Sequence, residues 1–377
     1  MLTRPQSYSR PAVVFVLPSL NGGGAERATL NLHHHSKHTT KILVERREGD
    51  LLGDPMARDA IIINQSRGIG RAKRVVALAR ILRRLRPAVV VAVLSPLTAA
   101  LAARSTRSRV MFWLQAPPYF MPGIRAERQS LVGRSGLWTL ALLADVVAGA
   151  APGLSRDWTN AGVPSQKLTV LPNGLELPIA VPQRRALPTD SSPLRILTMG
   201  RLAPEKRHDI LIRALVDIRR ERPADLTILG RGDTERDLRA LAESLGVVNH
   251  THFAGFVADP AAYLTAADLF VLASDFEGFG NVIVEALGYG LPVVCTDAPY
   301  GPRFIAGDCR AVRLVPLRDP SAIAREVLSV ARHASPTWSA EAHARALEFS
   351  TTRVCAHFDL LIDSLIRGQQ LPAWQDR

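Results

Sequence analysis

Short runs of β-branched and other apolar residues recur along the chain, separated mostly by longer helix-like or loop segments. This alternation restricts the fold more than anything else in the sequence. AVVFVLP, KILVE, AIIIN, AVVVAVL, RVMFWLQ, DVVAGA and KLTVLP read as strands in the first half, and LRILTMG, ADLTILG, HTHFAGF, DLFVLAS, LPVVCT and AVRLVP in the second. They are apolar almost throughout rather than at every second position, as strands covered on both faces of a parallel sheet must be. Between the two series lies LPIAVPQRRALPTDSSP, whose Pro and Ser content reads as an interdomain linker. The pattern predicts an α/β chain of two doubly wound Rossmann-like domains facing a central cleft, with ligands outside the carboxyl ends of the strands. A first domain is expected over residues 1–180, a linker over 181–193 and a second domain over 194–350. The helix-like segment RVCAHFDLLIDSLI, within a C-terminal stretch of about 351–377, is expected to pack back on the first domain. A chain of 377 residues is long for one core and suits two.

Charge is distributed unevenly. Up to residue 185 there are 26 basic against 10 acidic residues, a net +16; beyond it there are 21 against 24, a net −3. Such asymmetry points to an anionic surface as partner. RAKRVVALARILRRLRP sharpens this, because Val75, Leu78, Leu82 and Leu85 share one helical face while Lys73, Arg80, Arg83 and Arg84 group opposite. A solvated face is the simpler reading, and docking on anionic lipid headgroups is the functional one. Nucleic acid is disfavoured, since no recognition motif or aromatic-interleaved basic patch accompanies the charge. Cys295, Cys309 and Cys355 are isolated, with no CxxC spacing, which suits a reducing cytoplasm and disfavours a zinc site. The longest apolar run, Ala88 to Ala103, contains Ser95 and Pro96 and is shorter than the roughly 20 residues of a membrane span. A cytoplasmic protein, peripheral on the inner face of the membrane, is the resulting expectation.

The segment DLFVLASDFEGFGNVIVEALGYGLPVVCT carries the most specific chemistry. A buried strand ends near Ala273, a loop holds Glu277 and Gly278, and a helix begins near Asn281 with Glu285 in its first turns. A helix amino terminus offers N–H groups and partial positive charge to phosphate or sugar oxygens. Gly278 and Gly280 let the backbone come close. Two carboxylates repel phosphate but accept hydrogen bonds from hydroxyls, and a nucleotide sugar presents hydroxyls on both sides of its diphosphate. Capping of the helix is the structural alternative. In LTMGRLAPEKRHDILIRAL, Arg201 and Lys206 follow a strand closely enough to converge on one diphosphate. ILGRGD places Gly230 and Gly232 after the next strand, a weak signal by itself. SLNGGGAERATLNL sets Gly22, Gly23 and Gly24 between a strand and a helix, where a bare tight turn is the alternative to a ligand contact. His33, His34, His35 and His38 sit at a helix end and point in different directions, which suits a solvated terminus better than a metal site.

These motifs resemble the retaining glycosyltransferases of family 4, the group 1 glycosyl transferases of the GT-B fold. GRLAPEK, ILGRGD, FAGFV, EGFGNVIVEALGYGLPVV and YGPRFI match the family's second domain in order and spacing, and NGGGAER and VLPNGL match its first. The resemblance implies that Glu285 holds the donor ribose and Glu277 the transferred sugar. Arg201 and Lys206 would neutralise the diphosphate leaving group, making them, with Glu277, the expected catalytic set. Backbone N–H groups at Phe279, Gly280 and Asn281 would contact sugar and phosphate. The base would lie near Phe256 and Val257, and Gly23, Gly24 and Gly230 would line the donor. By the same resemblance no metal or other cofactor is needed.

Two positions depart from the family pattern. Members commonly carry a histidine where this chain has Gln115, Ala116 and Pro117; Gln115, the expected acceptor-side residue, can hydrogen-bond a sugar hydroxyl but cannot shuttle a proton. A glutamate often follows GPR, where this chain has Phe304. The expected function is transfer of a hexose or N-acetylhexosamine, with retention, from a nucleoside diphosphate sugar (uridine favoured). The acceptor would be a glycan or lipid-linked glycan of cell-surface polysaccharide or glycoconjugate synthesis. A non-catalytic sugar-nucleotide-binding protein and a GT-B sugar-nucleotide epimerase are the alternatives. A dinucleotide oxidoreductase is disfavoured, because no convincing GxGxxG is followed some 20 residues on by a ribose-binding acid.

Overall fold

The structure is a computed structural model and describes residues 11–64, 70–94, 96–116, 142–160, 162–181, 192–335 and 337–375. The chain forms two compact units, one of Met1–Gly174 with Thr351–Arg377, the other of Leu175–Ser350. The crossings therefore fall at Gly174 and Thr351. Most of the expected linker, residues 182–191, lies outside the described residues.

The first unit is built on a seven-stranded sheet. Its strands are β1 (Val13–Leu17), β2 (Thr40–Arg46), β3 (Ile61–Asn64), β4 (Val89–Val93), β5 (Arg109–Leu114), β6 (Val146–Gly149) and β7 (Leu168–Val170). They lie in the order β3-β2-β1-β4-β5-β6-β7, and every pairing is parallel. β1 and β4 are buried at every position, as their unbroken Val-rich sequences require. The strand order reverses between β1 and β4, the topological switch at which such sheets bind ligands.

The C-terminal helix Thr351–Arg367 belongs to this first unit. Val354, Phe358, Leu361, Ile362 and Leu365 recur at helical spacing and enter the same core as Val13, Phe15 and Leu17. The rings of Phe15 and Phe358 stack at 5.6 Å between centroids. Asp359 fastens the helix further by accepting from the Ser36 hydroxyl at 2.5 Å and the Lys37 N–H at 3.1 Å.

The second unit holds six parallel strands: β8 (Leu194–Met199), β9 (Ala224–Leu229), β10 (Thr251–Gly255), β11 (Leu269–Leu272), β12 (Val293–Thr296) and β13 (Val312–Val315). Their order is β10-β9-β8-β11-β12-β13, so the switch lies between β8 and β11. β11 and β12 are buried throughout, whereas β10, at the edge, is mostly half-exposed. The two-domain parallel α/β architecture read from the sequence is thus the one observed. Among the described residues no helix is long and apolar enough to cross a membrane.

Candidate functional site

The loops after β8 and β11 flank the switch point of the second unit, and they carry the cations and carboxylates singled out in the sequence. After β8 the chain passes Gly200, Arg201 and Leu202, makes a 3-10 turn over Pro204–Lys206, and enters the helix His208–Glu221 through Arg207. Pro204 starts the short turn because its fixed φ and missing N–H suit a first helical position. After β11 come Ser274, Asp275, Phe276 and Glu277, then a glycine-rich turn leading to the helix Asn281–Gly288. Gly280 precedes that helix with φ 104°, a conformation glycine adopts without a Cβ clash.

The two loops meet through side chains. Lys206 Nζ lies 2.6 Å from Glu277 Oε1, and the Ser274 hydroxyl donates to the same oxygen at 2.6 Å. Glu277 is 8% exposed and Lys206 20%, so the pair is largely withdrawn from water. Charge-assisted bonds in such surroundings are strong, and each partner would be costly to bury alone. The Glu277 backbone is fixed as well: its N–H donates to the Pro299 carbonyl at 3.4 Å, and its carbonyl accepts from Gly301 N–H at 3.1 Å. A Cβ on Gly301 would stand 1.6 Å from the Phe279 carbonyl oxygen, so only glycine allows this approach.

Arg201 takes a different place. It is 75% exposed and donates to Glu205 at 3.0 Å, within its own loop. The structure therefore brings Lys206 to Glu277 and leaves Arg201 at the solvent side. Glu285 is half-buried and lies four residues after Asn281, on the same face of their helix. Phe279 turns its ring inward against Phe349 and Phe304, at 5.3 and 6.4 Å between centroids, so at this position it is the main chain that remains for a ligand. Phe256, just past β10, is 54% exposed, an aromatic face in water, with Val257 half-buried beside it.

Gly230 has a packing reason of its own. Its φ is 143°, and a Cβ there would stand 1.9 Å from the Gly200 carbonyl oxygen; at Gly232 one would meet the Leu202 carbonyl oxygen at 2.2 Å. The two glycines let the loop after β9 lie against the loop carrying Arg201.

In the first unit, Gly23 precedes the helix Gly24–His35. The buried Glu26 turns back toward it, so that a Cβ on Gly23 would stand 2.6 Å from Glu26 Oε2. This helix end already has a carboxylate close by, which favours a hydroxyl over a phosphate as its ligand. Gly22 has φ 85°, and a side chain there would meet only open space. Gln115, immediately after β5, is half-buried, and its amide Nε2 is enclosed without a hydrogen-bond partner among the described residues. A buried donor left without an acceptor is unusual and suits an oxygen-bearing ligand. Pro117 and the residues to 141 lie outside the described set.

Two contributors are not evident from sequence. Ser274 shares Glu277 Oε1 with Lys206, and only its place directly after a buried strand could have marked it. His208 is buried beside Lys206, and burial, reinforced by the nearby ammonium, pushes its pKa down to about 4. It is neutral at physiological pH, with Nδ1 unpartnered among the described residues. No cluster of His, Cys, Asp and Glu suited to a metal occurs among those residues.

Residues 193–333 match the family described as Glycosyl transferases group 1. The match covers most of the second unit and leaves the first unit outside it. The matched span contains the loops after β8, β9 and β11. Over 180 residues the chain is 32% identical to an N-acetylgalactosaminyltransferase of Campylobacter jejuni named for the acceptor N-acetylgalactosamine-N,N'-diacetylbacillosaminyl-diphospho-undecaprenol, covering 48% of each chain. Over 233 residues it is 29% identical to the lipopolysaccharide core biosynthesis glycosyltransferase LpsE of Rhizobium meliloti, covering 60% of this chain and 66% of the relative. The chain thus spans about half to two thirds of these relatives. Anabaena HepE, solved with UDP and glucose, superposes with TM-score 0.76 at 19% identity, covering 94% of this chain and all of HepE. The lipopolysaccharide outer core galactosyltransferase WaaB superposes with TM-score 0.73 at 19% identity, covering 94% of this chain and 99% of WaaB. These superpositions give the chain the GT-B fold.

Proposed function

We propose that the chain transfers a hexose or N-acetylhexosamine from a nucleoside diphosphate sugar, UDP-linked by preference, to a glycan or lipid-linked glycan acceptor, with retention of anomeric configuration. The Lys206–Glu277 pair carries this reading: a cation and a carboxylate 2.6 Å apart, withdrawn from water, at the switch point of a parallel sheet. Without donor the two neutralise each other. With donor present, Lys206 turns its charge to the diphosphate and Glu277 accepts a sugar hydroxyl through Oε2, the oxygen that neither Lys206 nor Ser274 engages. Arg201, exposed and bonded to Glu205 within its own loop, has the freedom to swing onto the same diphosphate. Glu285 accepts from the ribose hydroxyls, the N–H groups at Phe279, Gly280 and Asn281 meet sugar and phosphate oxygens, and Phe256 and Val257 flank the base.

As the bond from the anomeric carbon to the diphosphate breaks, negative charge grows on the leaving oxygen. Fixed cations stabilise that charge without reorganisation, and no metal is required. The acceptor hydroxyl attacks from the side the diphosphate leaves, and its proton passes to the departing phosphate oxygen. A general base is then unnecessary, consistent with Gln115 in place of histidine. The acceptor class is supported by relatives named for undecaprenol-linked and lipopolysaccharide core acceptors. Uridine is supported by the UDP held in HepE. The exposed Lys73, Arg80, Arg83 and Arg84 on the helix Arg71–Leu85 would dock the first unit on the anionic inner face of the cytoplasmic membrane, where a lipid-linked acceptor lies.

The test is calorimetric titration of UDP together with turnover of a donor panel against membrane lipid extract, read by mass spectrometry. Glu285→Ala should weaken UDP binding by roughly 10-fold to 100-fold, the loss of a charged acceptor worth about 1.5–3 kcal/mol. Glu277→Ala should spare UDP binding and abolish sugar transfer. Unchanged UDP affinity in the Glu285 variant would overturn the ribose assignment, and binding without transfer in wild type would favour a non-catalytic binding protein.

A further inference from the structure

Beside the Lys206–Glu277 contact runs a second ionic connection between the same two loops. Asp275, two residues before Glu277, accepts both Nε and Nη2 of Arg318 at 2.9 Å. It also lies 3.6 Å from Arg207 Nη1, next in sequence to Lys206. Its N–H donates to the Glu205 carbonyl at 2.8 Å. Residues 205, 206 and 207 of one loop are thus tied in succession to 275, 277 and 275 of the other. Arg207 is itself fixed by Asp209, which accepts its Nε and Nη2 at 2.9 and 2.8 Å.

The backbone adds an independent sign. Among the described residues five non-glycines have positive φ, and two of them are Arg207 at 50° and Arg318 at 58°. Side-chain-bearing residues rarely hold that conformation. Two do so here, and both place a guanidinium on one carboxylate. Asp275 and Arg207 are about four-fifths buried, where such a pair is little screened by water; Arg318 is mostly exposed and contributes less.

We infer that Asp275 is a positioning residue: through Arg207 and its own N–H on the Glu205 carbonyl it holds the loop of Lys206 in register with the loop of Glu277, so that the ammonium stands ready for the diphosphate. Arg318, from the loop after β13, steadies the Asp275 carboxylate. The inference rests on the proposed role of Lys206 and Glu277. Asp275 touches neither of them; its effect passes through the Arg207 backbone to Lys206 and along its own loop to Glu277. An error of about 1 Å in such placement costs up to roughly 100-fold in rate while leaving ground-state binding nearly intact.

The experiment compares wild type with Asp275→Asn, Asp275→Glu and Arg318→Gln by two readouts. The first is steady-state kinetics with the nucleotide sugar; the second is the rate at which acetic anhydride acetylates Lys206, followed by mass spectrometry. Asp275→Asn should lower kcat by roughly 10-fold to 100-fold with KM for the donor within about twofold, and should raise Lys206 labelling by about threefold or more. Asp275→Glu, which keeps the charge, should recover most of both. Arg318→Gln should shift both in the same direction by less, and it decides the matter if Asp275→Asn does not fold. Unchanged labelling and kcat in a folded Asp275→Asn, or unchanged labelling in Arg318→Gln where that variant decides, would overturn the inference. A wild type that binds but does not turn over would defeat the proposed function, while the labelling rates would still decide whether Asp275 holds Lys206 in place.

Discussion

Breaking the Lys206–Glu277 pair from the lysine side alone should cost far more stability than breaking it from both sides, with the same consequence for activity. In Lys206→Met the Glu277 carboxylate keeps, among the described residues, only the Ser274 hydroxyl as a side-chain partner while remaining 8% exposed. Removing one member of a buried pair costs about 3–5 kcal/mol. The 20% exposure of Lys206 puts this case near the lower end, about 3 kcal/mol. For a unit the size of Leu175–Ser350 that is a fall in midpoint of about 6–12 °C. Glu277→Gln is milder, about 1 kcal/mol, because Lys206 can extend its flexible stem toward solvent. The double variant leaves no unpaired charge and keeps an acceptor for Ser274, so it should lie within about 1 kcal/mol of wild type. The coupling in this cycle is then about 3 kcal/mol, large for a contacting pair and far above the scatter of independent sites. Thermal unfolding by circular dichroism measures it, and glycosyl transfer is assayed on the same preparations. All three variants should lose transfer by on the order of 100-fold, the double included. A double variant destabilised by the plain sum of the singles would refute the burial argument. One that regained activity along with stability would refute the catalytic one.

His208 should make the protein acid-sensitive. Its folded pKa is pushed down to about 4 from the ordinary 6.5, so between those values the unfolded chain holds a proton that the folded chain refuses. Stability therefore falls as pH drops through that window, by about 3 kcal/mol in all, and this contribution levels off below pH 4. Denaturant midpoints from pH 8 to 4 should slope less in His208→Gln than in wild type, and equal slopes would contradict the assignment. Transfer activity should persist in excess chelator, because Arg201 and Lys206 supply the charge a metal would; complete loss, restored by magnesium or manganese, would overturn that. Reversing Arg80, Arg83 and Arg84 to Glu should abolish co-sedimentation with anionic vesicles at low salt, each basic residue being worth about 1 kcal/mol at such a surface, while UDP binding is unchanged.

The fold was legible because burial on both faces leaves a strand little choice of residues. β1, β4, β11 and β12 are apolar at nearly every position, and the alternation with helices then allows little besides parallel sheets. The candidate site was legible only in part. Lys206 and Glu277 stood out by residue type and by their places after strands, but their contact depends on β8 and β11 being neighbours, which local sequence does not encode. Glycines are ambiguous in a specific way. Gly230 and Gly232 suggest a ligand, whereas the closest approaches found are by the Gly200 and Leu202 carbonyls. A missing Cβ signals that something comes near without saying what. Gln115 stood out only by its place in the family pattern; burial adds that its amide is enclosed without an acceptor among the described residues.

Phe304 shows how a departure from the family pattern redistributes the chemistry. Related sequences often place a glutamate here, close in the chain to the loop that bonds Glu277. In this chain the ring packs edge-on against Phe279 at 6.4 Å and Phe349 at 5.5 Å, and Phe279 in turn meets Phe349 at 5.3 Å. A carboxylate among these rings would lose hydration and need a cation. Arg345, whose guanidinium lies over the Phe349 ring, is a candidate, but it already donates to the Phe304 and Ile305 carbonyls at 2.6 and 2.7 Å, closing the helix Gly301–Ala306. The aromatic trio instead stiffens the backbone on one side of the Glu277 loop, as Asp275 and its arginines tie the other side to Lys206. In the proposed reaction the site then has one carboxylate fewer to read sugar hydroxyls, and discrimination among donor sugars would fall more heavily on Glu277 and on the main-chain N–H groups that follow it.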